Sequence, residues 1–355
     1  MQEEGLILRK EVAKLAGVSE ATVSRVMNGA RPVREATRRK VLEAAERLGY
    51  VPSALAQQFA RKRSGNIGVI VPYVPKVRLF STYYFSEILS GIGEAAQQRG
   101  YDMLLMFRSP YEARDYERLY RTRKVDACVM LGSQDTPGEL EALARLAEAD
   151  HPFVLVNQRF DGAPFGTVEA DHEQGGYEAT RHLLGRGCRR IALLNGPLVY
   201  SNSADRLTGY RRALAEAGLP ADPGLCYAGN YSRTSGAAAA PALAEAIAQG
   251  RVDGVFAAND RMAIGLLQGL RERGLLPGAD VALIGYDDSE AARLTEPQLS
   301  SVAVPFHALG VRAAQRLLGR TADGSPADDA SPVLVEKLPV QLVARASSLT
   351  YTPSV

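Results

Sequence analysis

The chain has 355 residues, 46% hydrophobic and 23% charged, and its net charge is only +2. That length exceeds one ordinary domain, the composition is that of a globular chain for which disorder is not the default, and no stretch approaches the roughly 20 apolar residues a membrane span needs. The charge is unevenly spread: residues 1–63 carry 13 Lys and Arg against 7 Asp and Glu, a net of +6, while the remainder carries 29 against 33, a net of −4. A basic head on a mildly acidic body suits a small nucleic-acid module joined to a sensor or enzyme. The first charges are acidic and no apolar core follows a basic start, so no secretory signal is read and a cytoplasmic protein is expected. Cys128, Cys188 and Cys226 are far apart and odd in number, as small buried residues of a reducing compartment are.

In chain order, Leu8 to Ala16 reads as a short helix with Val12, Leu15 and Ala16 on one face, stopped by Gly17. Ser19 suits the N-cap of a second helix, Glu20 to Met27, with Val18, Val23 and Val26 inward. Its polar outer face holds Glu20, Ala21, Thr22, Ser24 and Arg25, the face a major groove would meet. The spacing is that of a helix-turn-helix, though an ordinary helical hairpin with a wetted face shares it. A third helix, Glu35 to Leu48, turns Val41, Ala45 and Leu48 inward and ends at Gly49.

The runs VAKLAGVSEATVSRVMNG (12–29) and TRRKVLEAAERLGYVPSALAQQFA (37–60) closely resemble the headpiece and hinge of the lac repressor (LacI/GalR) family. The resemblance implies a DNA-binding transcriptional regulator, most readily a repressor, without cofactor or metal. It acts as a homodimer on a pseudo-palindromic, double-stranded operator, with no membrane partner. It also implies that Ser19, Glu20, Ala21 and Arg25 meet base edges or lie beside them, with Thr22 and Ser24 nearer the backbone. Arg25 can donate twice to guanine, Glu20 can accept from cytosine, and the Ala21 methyl can touch a thymine methyl. Asn28, Thr37 and Arg38 are implied phosphate contacts. Ser53 to Ala60 is the implied hinge helix, with Ala56, Gln57 and Phe59 at the minor groove. Phe59 stands where the family has a wedging leucine, and Phe is an accepted wedge, although it could instead pack on the body. Arg34 departs from the Ser-type residue usual before the third helix, which would leave that helix uncapped.

From Asn66 the pattern changes. Apolar runs at 67–71, 103–107, 127–131, 153–156, 191–195, 254–258 and 281–285 alternate with amphipathic helical stretches. Those stretches are Tyr84–Arg99, Pro137–Ala147, Glu173–Gly185, Ala204–Ala217, Ala237–Ala248 and Arg261–Gly274. Such alternation predicts parallel sheets covered on both faces, and seven strands suggest two lobes. The expected architecture is an all-α helix-turn-helix headpiece (1–52), a hinge helix and linker (53–65) and an α/β two-lobed domain (66–346). The resemblance implies that this last domain is periplasmic-binding-protein-like, type I. One lobe would take about 66–163 and 298–325, the other 164–297 and 331–346, with crossovers near Ala163, Pro297 and Ser325–Ser331.

Ligands of such folds sit at the carboxyl ends of strands. The candidates there are Arg206, Asn259 and Asp287, with Tyr231 as the aromatic, and the resemblance assigns them to the effector pocket. Tyr73, Asn157 and Arg159 are further candidates from the first lobe. Arg and Asn donate to hydroxyls, Asp accepts from them, and the ring covers an apolar face, so a sugar or sugar derivative is the expected small-molecule effector. A nucleobase or a protein co-regulator are the alternatives, and Arg206 could instead pair with a structural carboxylate. Asp260 and Asp288 read as helix caps, as does Asp171. No phosphate loop, nucleophile elbow or HExxH appears, His151, His172, His182 and His307 lack metal-ligand spacing, and Gly91-Ile92-Gly93 lies inside a helix. An enzyme is therefore not expected.

Overall fold

A computed structural model describes residues 8–29, 32–51, 63–73, 79–109, 114–319 and 334–352. The chain forms two compact units, residues 1–65 with 123–126, and residues 66–122 with 127–355.

The first unit holds α1 (Arg9–Ala16), α2 (Glu20–Met27) and α3 (Glu35–Leu48). Gly17 and Gly49 take left-handed φ angles of 67° and 65° and close α1 and α3, as their lack of a Cβ allows. Ser19 accepts from the Thr22 N–H at 3.2 Å and caps α2, whereas Arg34 gives α3 no side-chain cap. Val12, Ala13, Val23, Val26, Val41, Ala44 and Ala45 make one small core. Leu15, expected inside, is 45% exposed. At about 100° per residue, the stripe from Val12 through Ala16 to Ala13 turns away from Leu15. Before the second unit begins, the Asp126 carboxylate accepts the backbone N–H groups of Ser64 at 2.7 Å and Gly65 at 2.9 Å.

The second unit has twelve strands among the described residues. They are β1 (Asn66–Pro72), β2 (Asp102–Arg108), β3 (Ala127–Leu131), β4 (Phe153–Val156), β5 (Thr167–Ala170) and β6 (Ile191–Asn195), then β7 (Cys226–Ala228), β8 (Gly254–Ala257), β9 (Ala282–Asp287), β10 (Ser300–Ala303), β11 (Val335–Leu338) and β12 (Gln341–Val343). One sheet runs β11-β5-β4-β3-β1-β2, the other β12-β10-β9-β8-β6-β7. Every pairing is parallel except β10 with β12. The central strands β3, β6 and β8 are buried throughout, which explains their continuous apolar runs.

Helices cover these sheets: α4 (Tyr83–Gln98), α5 (Glu117–Arg121), α6 (Pro137–Glu148), α7 (His172–Gly185), α8 (Ser201–Glu216), α9 (Arg233–Ala248), α10 (Asp260–Arg271), α11 (Glu290–Arg293), α12 (Phe306–Leu318) and α13 (Ala346–Leu349). Three helix pairs meet backbone to backbone: α4 with α12, α7 with α8, and α9 with α10. A Cβ on Gly91 would overlap the His307 carbonyl oxygen, and one on Gly310 that of Ile88. The same reciprocity joins Gly176 to Arg206 and Gly209 to Glu173, and Gly236 to Met262 and Gly265 to Arg233.

The expected crossovers need correction. β5 ends in the first sheet at Ala170 and α7 begins at His172, so the chain crosses at Asp171, not near Ala163. It returns between Ala303 of β10 and Phe306 of α12, not near Pro297, and crosses again between Leu338 and Gln341. The expected segment Ser325–Ser331 lies outside the described residues. The strands TVEA, SSVA, VEKL and QLV are three or four residues long and carry polar residues, so apolar runs do not reveal them.

Candidate functional site

On the first unit, Val23 and Val26 turn α2 inward and leave Glu20, Ala21 and Arg25 exposed, with Thr22 and Ser24 half-buried. Asn28 closes α2, its Nδ2 donating to the Ser24 carbonyl at 2.8 Å, and its Oδ1 is buried without a partner. Thr37 is half-buried and Arg38 exposed in the first turn of α3. Glu20 differs from expectation: its carboxylate accepts Nε of Arg9 at 3.2 Å instead of standing free. Ala56, Gln57 and Phe59, the expected hinge contacts, lie outside the described residues.

In the second unit the strand-end residues converge around Arg206. That side chain rises from α8, which begins at Ser201, three residues before the expected start. It is only 4% exposed. Its guanidinium lies 4.3 Å from the Tyr286 ring centre, Nη1 donates to the Tyr231 hydroxyl at 3.2 Å, and Nη2 donates to His172 Nδ1 at 3.3 Å. Nε is buried with no partner. Because Arg206 can only donate, Nδ1 of His172 carries no proton, and Nε2–H donates to Asn157 Oδ1 at 3.0 Å. Burial, followed by the nearby charges of Arg206, Arg159 and Lys337, holds the His172 pKa well below the ordinary imidazole value.

Tyr231 takes a left-handed φ of 64° after β7. Its hydroxyl donates to Asn202 Oδ1 at 2.9 Å and makes a short hydrogen bond with Ser203, while its ring lies where a Cβ on Gly196 would stand. Asn259 holds this loop, with Nδ2 donating to the Tyr231 carbonyl at 3.1 Å. Its Oδ1 caps α10 through Met262 N–H at 2.9 Å. The cap is thus Asn259 and not Asp260, whose buried carboxylate accepts from Ser289 and Ser301. Asp288, also expected as a cap, pairs with Arg293 at 3.0 Å and Arg345 at 2.6 Å. Asp171 does cap α7 through Gln174 N–H at 3.2 Å.

Asp287 ends β9 with φ 111°, and no hydrogen bond to its carboxylate forms among the described residues. Burial first, then the neighbouring Asp260, raises its pKa well above the usual carboxylate range, against the pull of Arg206 and Arg261.

Arg159, its side chain 26% exposed, bridges two carboxylates through Nη1 and Nη2. Nη1 donates to both Glu169 oxygens, at 2.6 and 2.7 Å, and Asp205 accepts from Nη1 at 2.9 Å and Nη2 at 2.7 Å. Glu169 lies in β5 of one lobe and Asp205 in α8 of the other, so this triad ties the lobes together. Nearby, the Ser201 N–H donates to Gln158 Oε1 at 3.0 Å and the Arg159 N–H to Ser201 Oγ at 3.0 Å. Tyr73 is not drawn into the cluster: its side chain is 56% exposed, and its N–H donates to the Arg108 carbonyl. His172 and Glu169 carry no signal in the sequence, because a lone His or a single strand carboxylate has no distinctive spacing, whereas Tyr286 and Asp205 stand directly beside Asp287 and Arg206.

Residues 10–53 match the model of bacterial regulatory proteins of the lacI family, and residues 180–348 that of the periplasmic binding protein-like domain. The chain is 35% identical over 316 residues to the HTH-type transcriptional repressor PurR of Vibrio atlanticus, covering 88% of this chain and 92% of that one. The chain belongs to the lacI family of bacterial regulatory proteins. This LacI-family chain is a DNA-binding transcriptional regulator with an N-terminal helix-turn-helix and a two-sheet α/β domain. A structure of the transcriptional regulator CelR–cellobiose complex matches it with a TM-score of 0.71 and 34% identity, over 96% of this chain and 100% of that one. The lac repressor dimer bound to operator and the anti-inducer ONPF matches with a TM-score of 0.79 and 29% identity, over 97% and 99%. These relatives are transcriptional regulators, not enzymes, and among the described residues of the LacI-family chain no helix is long and apolar enough to cross a membrane.

Proposed function

We propose that this LacI-family regulator is a cytoplasmic repressor. Two copies bind a pseudo-palindromic operator, and a sugar-like effector in the cleft between the lobes changes that affinity. Residues 1–52 form the DNA-binding headpiece and 53–65 the hinge helix and linker, with the two-lobed domain following. Ser19, Glu20, Ala21, Thr22, Ser24 and Arg25 make up the groove face. Asn28, Thr37 and Arg38 contact the backbone, and Ala56, Gln57 and Phe59 the minor groove. Arg206, Tyr231, Asn259 and Asp287 form the effector site, with Tyr73 at its first-lobe edge. Arg159 takes part as a tie between lobes that ligand binding adjusts, since its Nη1 and Nη2 are engaged by Glu169 and Asp205.

One observation carries the effector reading. Among the described residues the buried Arg206 Nε has no partner and no hydrogen bond reaches the side chain of the nearby Asp287, leaving a donor and a carboxyl group available. Burying such groups unpaired is costly, so they suit a ligand that both accepts and donates, as a sugar hydroxyl does. The rings of Tyr231 and Tyr286 keep a nucleobase as the second reading. A thermal-unfolding screen of the full chain against cellobiose, other sugars, sugar phosphates and purines tests this. A ligand-specific rise in melting temperature supports a small-molecule effector and identifies its class. No rise across the panel favours a protein co-regulator.

A further inference from the structure

Arg9 has no part in the DNA-binding set read from the sequence, yet its side chain reaches the start of α2. Its Nε donates to Glu20 Oε2 at 3.2 Å, and the two side chains remain 44% and 50% exposed. A guanidinium has five N–H donors, and this bond uses only the Nε edge. Among the described residues Nη1 and Nη2 of Arg9 have no partner. The end of the fork stays open, and the Nε bond orients it relative to Glu20.

The pair also changes the electrostatics of the groove face. Glu20 is the one acidic residue on the exposed side of α2. A free carboxylate there would be repelled by the phosphates of DNA. The Arg9–Glu20 pair sums to zero charge, so the net positive charge of the face is carried by Arg25, and the open end of Arg9 adds hydrogen-bond donors.

From these observations we propose that Arg9 is a further DNA-contacting residue, aimed by Glu20, whose Nη1 and Nη2 donate to an acceptor pair on the nucleic acid. Such an acceptor is either the O6/N7 edge of a guanine or a backbone phosphate, both of which match a two-pronged guanidinium. Glu20 is then a positioning residue and not a reader of cytosine. The inference rests on α2 being the groove-facing helix.

The test uses the full chain and a pool of randomised duplexes. Wild type selects its preferred duplex, and the affinity of that duplex is then measured by fluorescence anisotropy across a salt series. Arg9→Gln, Glu20→Gln, the double variant, Arg9→Lys and Arg25→Gln are compared, with circular dichroism checking that each headpiece is folded. Arg9→Gln weakens binding about tenfold or more when Glu20 is present and less than about threefold in the Glu20→Gln background. Arg9→Lys, which keeps the charge but not the fork, recovers only part of the loss. If the acceptor is guanine, the sequences selected by Arg9→Gln lose one G·C preference per half-site. If it is a phosphate, the selected sequence is unchanged and the salt slope drops by about one per headpiece. Unchanged affinity, consensus and slope in Arg9→Gln overturn the contact, and equal losses in both backgrounds overturn the aiming by Glu20. Should Arg25→Gln also change nothing, the groove-facing reading of α2 fails as well, whereas a loss in Arg25→Gln alone confines the failure to Arg9.

Discussion

At the scale of single residues, the cluster of side chains around Arg206 depends on a neutral histidine beside a buried arginine. His172 accepts from Arg206 and donates to Asn157, so protonating it would set two cations against each other. Its pKa is depressed in the folded chain, so the unfolded chain binds the proton more readily. The stability it contributes is complete above the unfolded value of about 6.5 and is lost as pH falls below it. His182 is also depressed, so the informative quantity is the difference between wild type and His172→Gln in urea unfolding at pH 7.5 and 5.5. Acidification should destabilise wild type more than the variant, and parallel profiles would remove His172 from this role. For whichever ligand raises the melting temperature, Arg206→Ala should weaken binding about 30-fold or more by calorimetry, as expected for a lost charged hydrogen bond with its partners left buried. Arg206, Tyr231 and Asp287 were singled out by the family resemblance, and the structure brings them together although Arg206 lies within α8 and only Tyr231 and Asp287 stand at or just after strand ends. The roles of Asn259 and Asp260 were not legible, because adjacent polar residues at a helix start can each cap it. The extended backbone of Asn259, φ −156°, decides between them.

At the scale of elements, the lobes are joined by charge as well as by chain. Arg159 sits between Glu169, which is 1% exposed, and Asp205. Arg159→Gln leaves two carboxylates facing one another near a segment crossing, with Lys337 at 3.7 Å from Glu169 as the remaining cation. Breaking such a pair should cost about 3 kcal/mol in denaturant unfolding and widen the ligand-free chain in small-angle scattering. Unchanged dimensions would mean that the triad does not hold the lobes. The reciprocal glycines set a second requirement. Gly209→Ala forces a Cβ into the Glu173 carbonyl and should destabilise by about 2 kcal/mol or more, whereas Gly93→Ala, with open space around it, should not. Six helices of the body were legible to within four residues from their apolar faces, whereas the short Glu117–Arg121, Glu290–Arg293 and Ala346–Leu349 and the 13-residue Phe306–Leu318 were not read. The short polar strands and the crossovers were not legible, because a strand of three or four residues such as β5 or β10, interior to its sheet, is defined by its neighbours and not by its own composition.

At the scale of the whole molecule, the proposed function requires two events to be linked: DNA binding by a basic headpiece and ligand binding between two lobes. The first is electrostatic in large part, so affinity for a selected duplex should fall steeply with salt, by about a thousandfold or more between 50 and 200 mM for six or more phosphate contacts. A flat response would contradict a phosphate-reading headpiece. The second can alter the first only through a difference in ligand affinity between two lobe arrangements. The most direct measurement is therefore the affinity of the full chain for its selected duplex with and without the ligand that stabilises it against heat. The account predicts a change of about tenfold or more, in either direction, that disappears in Arg206→Ala. A ligand that binds the cleft and leaves DNA affinity unaltered would contradict it.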